Sequence, residues 1–437
     1  MLRINLGSII ISAGILLSGC STSRALKSSL PAFFEKNSLF TGHFTGFALY
    51  DPASRKTIYS HQADKYFTPA SNTKIFTLFT ALNVFPDSIP TVKYLVEDDT
   101  LFVWGMSDPT TLHPDFKSQN WVFPFLDKFQ LPIVICTDHF KDQRYGPGWA
   151  WDDYPFAYQV EKSFFPVFGN TLWVDYDKKT HSISTLPNFL NFTWKNSRNI
   201  SSTRREFGNN FRLNLPSQPS GDIHLRIPFS FSDTLYQEVF NQTLTQSFAI
   251  SGTCPETSNS DYYYAMPADT VYSYMMQNSD NFIAEHLLLG ASAVLSDSID
   301  SAALINLIKE NMLPEIAQEI QWYDGSGLSR YNMFTPNAII TVLNKIRDLI
   351  SDDRIKNIFP AGGISGTIKD WYHNPGGKPY VFAKTGTLKG VHCLSGFLYT
   401  DSGRVLIFSF MHNNFVGSSN SIKEKMNLVF QFIKTNL

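Results

Sequence analysis

Ser71 and Lys74 stand three residues apart at the head of an apolar run that ends at Phe85. On a helix, positions i and i+3 share a face and reach one another, so the hydroxyl and the amine can exchange a proton. Pro69 ahead of the run and Ser71 at its start predict a helix N-terminus. Unpaired N–H groups and the positive end of the helix dipole favour developing negative charge there. A buried lysine loses its charge easily because desolvation disfavours the ammonium, and a neutral Lys74 is a base for Ser71. Taken alone, the pair reads equally well as a capping serine beside a solvated lysine.

Two further segments carry reactive types. Ser279-Asp280-Asn281 lies inside residues 271–295, whose apolar spacing predicts helix. A polar trio is out of keeping there unless it forms a loop or faces a cleft. Lys384-Thr385-Gly386-Thr387 follows Tyr380-Val381-Phe382-Ala383 on a predicted strand and holds the chain's only Lys-Thr-Gly. The lysine and threonine offer a charge and a hydroxyl to a carboxylate, and Gly386 removes a side chain so that a ligand can lie along the strand.

These residues need a frame. Residues 42–60 read as a β-hairpin turning at Asp51-Pro52-Ala53-Ser54. Residues 380–397 and 404–411 alternate like adjacent strands, and residues 421–432 close the chain as an amphipathic helix. Sheet elements at both ends, with helices at 301–311 and 336–350 between them, predict one α/β domain in which the first hairpin joins the late strands. From about Ser88 to Pro267 short β-like runs recur between Gly, Pro, Asn and Asp clusters, with no amphipathic helix of useful length. This predicts a mostly-β insertion of more than one module. Within it, Trp149-Ala150-Trp151-Asp152-Asp153 sets aromatics beside carboxylates, either as a structural clasp or as a holder for a cationic ligand.

Composition excludes several classes. The chain has 437 residues, a formal charge of −2 and no long basic run, which argues against nucleic acid as a partner. Aromatics make up 15% of it, enough for a packed core and too many for a disordered chain. Met1-Leu2-Arg3, an apolar stretch to Leu17, and Leu17-Ser18-Gly19-Cys20 predict a signal peptide. Its ending resembles a bacterial lipobox, in which Cys20 is lipidated and opens the mature protein. Residues 21–30 then form a tether, and the chain folds in an extracytoplasmic, disulfide-permissive space. Cys136, Cys254 and Cys393 remain, an odd number at no metal-like spacing. Neither a metal nor a cofactor is expected. Cys136 and Cys393 read as buried small hydrophobes, with a single disulfide left open.

In this order, Ser-x-x-Lys, Ser-Asp-Asn and Lys-Thr-Gly form the signature of penicillin-binding proteins and class A β-lactamases. Lys74 and Ser279 stand 205 positions apart, far more than in β-lactamases. With that insertion, the chain resembles the class C low-molecular-mass penicillin-binding proteins, the D-alanyl-D-alanine carboxypeptidase and endopeptidase family. The resemblance runs from Pro31 to the C-terminus and takes in Ser107-Asp108-Pro109, Asp324-Gly325-Ser326-Gly327 and Gly366-Thr367. Ser107 departs from the expected Gly-Asp-Pro pattern.

The family implies a transpeptidase-like α/β (α+β) domain, an antiparallel sheet packed with helices, over residues 31–88 and 268–437. Residues 89–267 form its mostly-β insertion, in two subdomains. It also implies an acyl-enzyme on Ser71, with Lys74 as base and Ser279 relaying a proton toward the leaving amine. Asn281 binds the substrate amide or Lys74. Backbone N–H groups of Ser71 and Thr387 form the oxyanion hole. Lys384 and Thr385, with Gly386 and Thr387 along the strand, receive the terminal carboxylate, and Asp153 meets the amine of a diaminopimelate side chain. Peptidoglycan stem peptides are the implied substrate and β-lactams the covalent inhibitors. A non-catalytic peptidoglycan-binding lipoprotein and a β-lactamase- or esterase-like hydrolase are the alternatives on this fold.

Overall fold

The computed structural model describes residues 30–116, 121–374 and 376–437. The signal peptide, Cys20 and all but the last residue of the tether lie outside the described residues. The chain forms two compact units, one ending at Ile75 and resuming with Met333–Leu437, the other being Phe76–Asn332.

In the first unit the hairpin Phe44–Asp51/Lys56–His61 turns where Asp51 accepts hydrogen bonds from the Ala53 N–H (3.0 Å) and the Ser54 hydroxyl (2.7 Å). It joins the late strands in one antiparallel sheet, in the order Val381–Leu388, Val391–Tyr399, Val405–Asn413, Phe44–Asp51, Lys56–His61. The expected pairing of first hairpin and late strands is present. Period-two alternation turns Ala383, Leu394, Phe410 and Phe47 to one face. There they meet Ile422, Met426, Val429, Phe430 and Ile433 of the closing helix Asn420–Asn436. That helical spacing is one apolar stripe, and each fully buried side chain contributes roughly 1.5–3 kcal/mol. Helix Pro336–Leu349 packs on strands of the same sheet, started by Pro336 at its first turn and by Thr335, whose hydroxyl accepts from the Ala338 N–H at 3.0 Å.

The second unit holds a mixed five-stranded sheet in the order Phe248–Ser251, Ile133–Cys136, Thr100–Gly105, Ser88–Glu97, Asp261–Pro267, and two three-stranded sheets. The expectation of no useful helix in this stretch is corrected by Asp233–Thr243. Ser232 caps it and Leu235, Tyr236, Val239 and Phe240 are buried. Those four are its only apolar residues, so its periodicity is diluted by a long polar face. Cys136 is not a lone buried thiol either: it is bonded to Cys254, while Cys393 is free and buried. Strand Phe248–Ser251 runs parallel to Ile133–Cys136 and sets the two cysteines side by side. Helices Ala268–Asn278, Asn281–Ser296 and Ser301–Asn311 complete the unit, and Asn281–Ser296 is buried on every side from Phe282 to Ala293. Among the described residues no helix is long and apolar enough to cross a membrane.

Candidate active site

In the first unit, Ser71 and Lys74 stand on a tight turn. Ala70–Thr73 is a 3₁₀ turn that runs directly into helix Lys74–Val84. Ala70, just before Ser71, has φ of +48°, a left-handed conformation that costs a non-glycine residue of order 1 kcal/mol or more. The turn is held by Thr73, whose hydroxyl donates to the Ala70 carbonyl at 2.9 Å. It sets Ser71 Oγ 3.1 Å from Lys74 Nζ. Lys74 has no solvent-accessible surface, so the amine faces the hydroxyl in a desolvated setting.

Strand Val381–Leu388 brings the second group of residues to this turn. Lys384 is fully buried; burial, reinforced by the charge of Lys74, holds its ammonium well below the ordinary lysine pKa. Its Nζ donates to the Thr385 carbonyl at 2.9 Å. A β-carbon on Gly386 would stand 2.3 Å from the Pro69 carbonyl oxygen. The glycine is therefore required by the serine–lysine turn itself, a different reason from the ligand clearance expected from sequence. Asn72 completes the join, its Nδ2 donating to the Lys384 carbonyl at 2.9 Å. Sequence reasoning passed over Asn72. Its one signal was an amide between two reactive residues at the head of an apolar run.

The strand lies at the sheet edge. The Val381 carbonyl accepts from the Gly362 N–H at 2.9 Å, and the Ala383 N–H donates to the Pro360 carbonyl at 3.0 Å. Both groups point away from the neighbouring strand. Alternation then aims the backbone groups of Thr385 and Thr387 at the same open edge. The Thr385 hydroxyl donates to Thr367 Oγ1 at 2.8 Å.

The second unit positions the other candidates. Ser279 ends helix Ala268–Asn278 in the left-handed conformation, with φ of +56°, and its N–H donates to the Met275 carbonyl. Asp280 caps the next helix by accepting from the Ile283 N–H at 2.8 Å, and Asn281 opens that helix. The predicted helical stretch 271–295 is thus two helices, and the polar trio is the break between them. Asn281 Nδ2 donates to the Tyr158 carbonyl at 3.0 Å. The Tyr158 hydroxyl is bonded to Asp153, and burial together with that carboxylate pushes the phenol up to about 12. Of the two readings of the aromatic loop, Trp149 fits the clasp, donating from Nε1 to Asp324 at 2.9 Å, while Trp151 is 80% exposed. Asp324 also accepts from the N–H groups of Gly327 (2.9 Å) and Ser329 (2.6 Å) and from Asn332 (2.6 Å), which explains the Asp-Gly-Ser-Gly turn. Burial and the charge of Asp324 raise nearby Glu285 to about 7.

A serine–lysine turn locked to an edge strand bearing Lys-Thr-Gly defines the serine acyl-transfer fold of the penicillin-binding proteins. Penicillin binding protein 4 (dacB) from Haemophilus influenzae shares that fold, with a TM-score of 0.69 and 18% identity over 93% of this chain and 97% of that one. The chain belongs to the D-Ala-D-Ala carboxypeptidase 3 (S13) family, whose model matches residues 26–435. It is thereby a hydrolase of the serine D-Ala-D-Ala carboxypeptidase class.

Similar relatives include penicillin-sensitive carboxypeptidase A of Dictyostelium discoideum, 23% identical over 84% of this chain and 82% of the relative. The D-alanyl-D-alanine carboxypeptidase of Actinomadura sp. is 23% identical over 90% and 81%. D-alanyl-D-alanine carboxypeptidase DacB of Haemophilus influenzae is 30% identical over a shorter stretch, 39% of this chain and 36% of the relative.

Proposed function

We propose that the chain hydrolyses D-Ala-D-Ala bonds of peptidoglycan stem peptides, trimming terminal D-alanine or cutting cross-links, through an ester on Ser71. The observation that carries this is the 3.1 Å approach of Ser71 Oγ to a fully buried Lys74 beside Lys384. Lys74 takes the hydroxyl proton as Oγ attacks the peptide carbonyl, and the tetrahedral oxyanion settles on the N–H groups of Ser71 and Thr387. Each such donor contributes about 3 kcal/mol in serine hydrolases. Collapse breaks the C–N bond, and a proton relayed through Ser279 leaves with the amine of D-alanine. Asn281 binds the substrate amide. Lys384 and Thr385 take the terminal carboxylate, while Gly386 and Thr387 let the peptide lie along the open edge. Water then cleaves the ester.

In this reading residues 31–88 and 268–437 supply the catalytic groups and residues 89–267 are the insertion. Asp153 receives the free amine of a diamino acid in the stem peptide. Cys20 anchors the protein by its lipid in an extracytoplasmic compartment, and β-lactams acylate Ser71 as mimics of D-Ala-D-Ala. The Haemophilus relative supports the last point, having been seen complexed with a β-lactam.

The test is to incubate the soluble protein with labelled penicillin, map the adduct, and follow release of D-alanine from a pentapeptide. An adduct on Ser71, and loss of both signals in Ser71→Ala, is the expected result. Asp153→Asn should raise KM only for peptides with a free side-chain amine. No adduct on the folded protein would leave a non-catalytic wall-binding lipoprotein as the reading.

A further inference from the structure

We propose that the outward face of the three-stranded sheet Phe192–Asn196, Phe211–Leu215, Ser201–Thr203 docks the polyanionic peptidoglycan itself, apart from peptide capture by catalytic residues. The identity of the polymer rests on the reading above; the existence of the surface does not. The register places Thr193, Arg212 and Thr203 in one cross-strand row, and Lys195, Asn214 and Ser201 in the next. Phe211, Leu213 and Leu215 alternate to the opposite face and are buried, so the two polar rows face outward together. With strands about 4.8 Å apart and residues about 3.3 Å apart along them, the rows form a flat platform roughly 10 Å across. It presents hydroxyls, an amide and two cations, and no carboxylate.

Charge argues for an anionic occupant. Between Phe192 and Leu215 the chain carries five cations and one carboxylate, although its net charge is −2. That carboxylate, Glu206, is engaged by Arg144 at 2.7 Å, and Arg204 turns inward to Glu161. Lys195, Arg198, Arg205 and Arg212 are exposed, and among the described residues none of them has an ion-pair partner. A lone solvated lysine would carry no such meaning. Four unpaired cations on and beside a flat platform of hydroxyls create a positive field that unlike charge can satisfy. Phe207, which follows strand Ser201–Thr203, is 79% exposed, an apolar surface of the size of a sugar ring. A glycan whose stem peptides each end in a carboxylate supplies hydroxyls, ring faces and repeated negative charge in one polymer. Many weak contacts then hold the enzyme on its substrate by raising effective concentration.

The experiment is co-sedimentation of the soluble protein with purified peptidoglycan sacculi, in parallel with hydrolysis of a soluble pentapeptide. The double variant Lys195→Glu/Arg212→Glu should bind sacculi at least tenfold more weakly, and 0.5 M salt should weaken wild-type binding comparably because the charges are exposed. Both proteins should hydrolyse the soluble peptide within about twofold of each other. Lys195→Arg/Arg212→Lys should bind as wild type, and Lys195→Gln/Arg212→Gln replaces the glutamate pair if that variant does not fold. Undiminished sedimentation of the charge-reversed protein overturns the proposal. So does equal binding to glycan strands stripped of their stem peptides, or preference for a phosphodiester wall polymer over sacculi. Platform-dependent sedimentation without peptide hydrolysis by wild type would overturn the catalytic reading and leave the docking surface standing.

Discussion

Position 386 shows how little room the serine–lysine turn leaves. A methyl group there meets the Pro69 carbonyl oxygen at 2.3 Å and the Asn72 N–H at 3.1 Å, both backbone atoms that cannot rotate away. Gly386→Ala must push strand and turn apart, an overpacking that costs about 1–3 kcal/mol. It should also slow penicillin acylation of Ser71 by tenfold or more. A normal acylation rate in a folded Gly386→Ala protein would show that the turn tolerates the shift. The residues proposed to react were singled out in sequence because three short patterns fall in one order. Asn72 was not, because its partner is a backbone carbonyl 312 positions away and no local spacing records such a pair. The reason for Gly386 was hidden for the same cause: it lies in the approach of two segments, not in either segment.

At the scale of elements, the break at Ser279 is made by two caps back to back. Ser279 accepts a left-handed turn that glycine or asparagine more often fills, and Asp280 satisfies an orphan N–H of the next helix. Asp280→Ala should lower stability by about 1 kcal/mol in denaturant unfolding. Because Asn281 follows the cap, substrate turnover should fall more than global stability alone accounts for; unaltered turnover would mean that the helix start is fixed by other contacts. Periodicity predicted helix on both sides of this break and could not record the break itself, which only the polar trio marked, as either a loop or a stretch facing a cleft. The helix Asp233–Thr243 escaped notice for the opposite reason: four apolar positions in eleven leave a weak stripe. Strands were more legible, because alternation survives even in short runs. The pairing of Cys136 with Cys254 became visible only with the parallel alignment of two strands far apart in sequence.

Across the whole molecule, buried imidazoles recur in both units. Burial lowers His392 and His286 to about 3 and His113 to about 4, and it lowers His412 and His139 as well. In the first unit His392 and His412 are cross-strand neighbours in a row that begins at Thr387. These groups are neutral when folded, whereas an unfolded chain protonates them below about pH 6.5. The unfolded state therefore binds more protons from about pH 6.5 down to their folded pKa values, and stability falls with pH through that window. Each group contributes up to ~1.4 kcal/mol per pH unit. Glu285 and Asp108, raised by burial, act in the opposite sense but are outnumbered. The melting temperature should drop steadily between pH 6.5 and 4. A flat profile there would mean that the imidazoles gain protons in the folded state.

An edge strand that can receive a peptide can also receive another sheet. Strand Val381–Leu388 limits that hazard by its length and its side chains. The segment at Pro360 and Gly362 already occupies the edge at Val381 and Ala383, so only the stretch beyond it stays open. That stretch carries Lys384, Thr385, Gly386 and Thr387 in place of a run of branched apolar residues. Short, polar and interrupted by glycine, it is a poor seed for edge-to-edge aggregation. The residues proposed to hold one small substrate are thus also those that keep copies of the protein from joining into a common sheet.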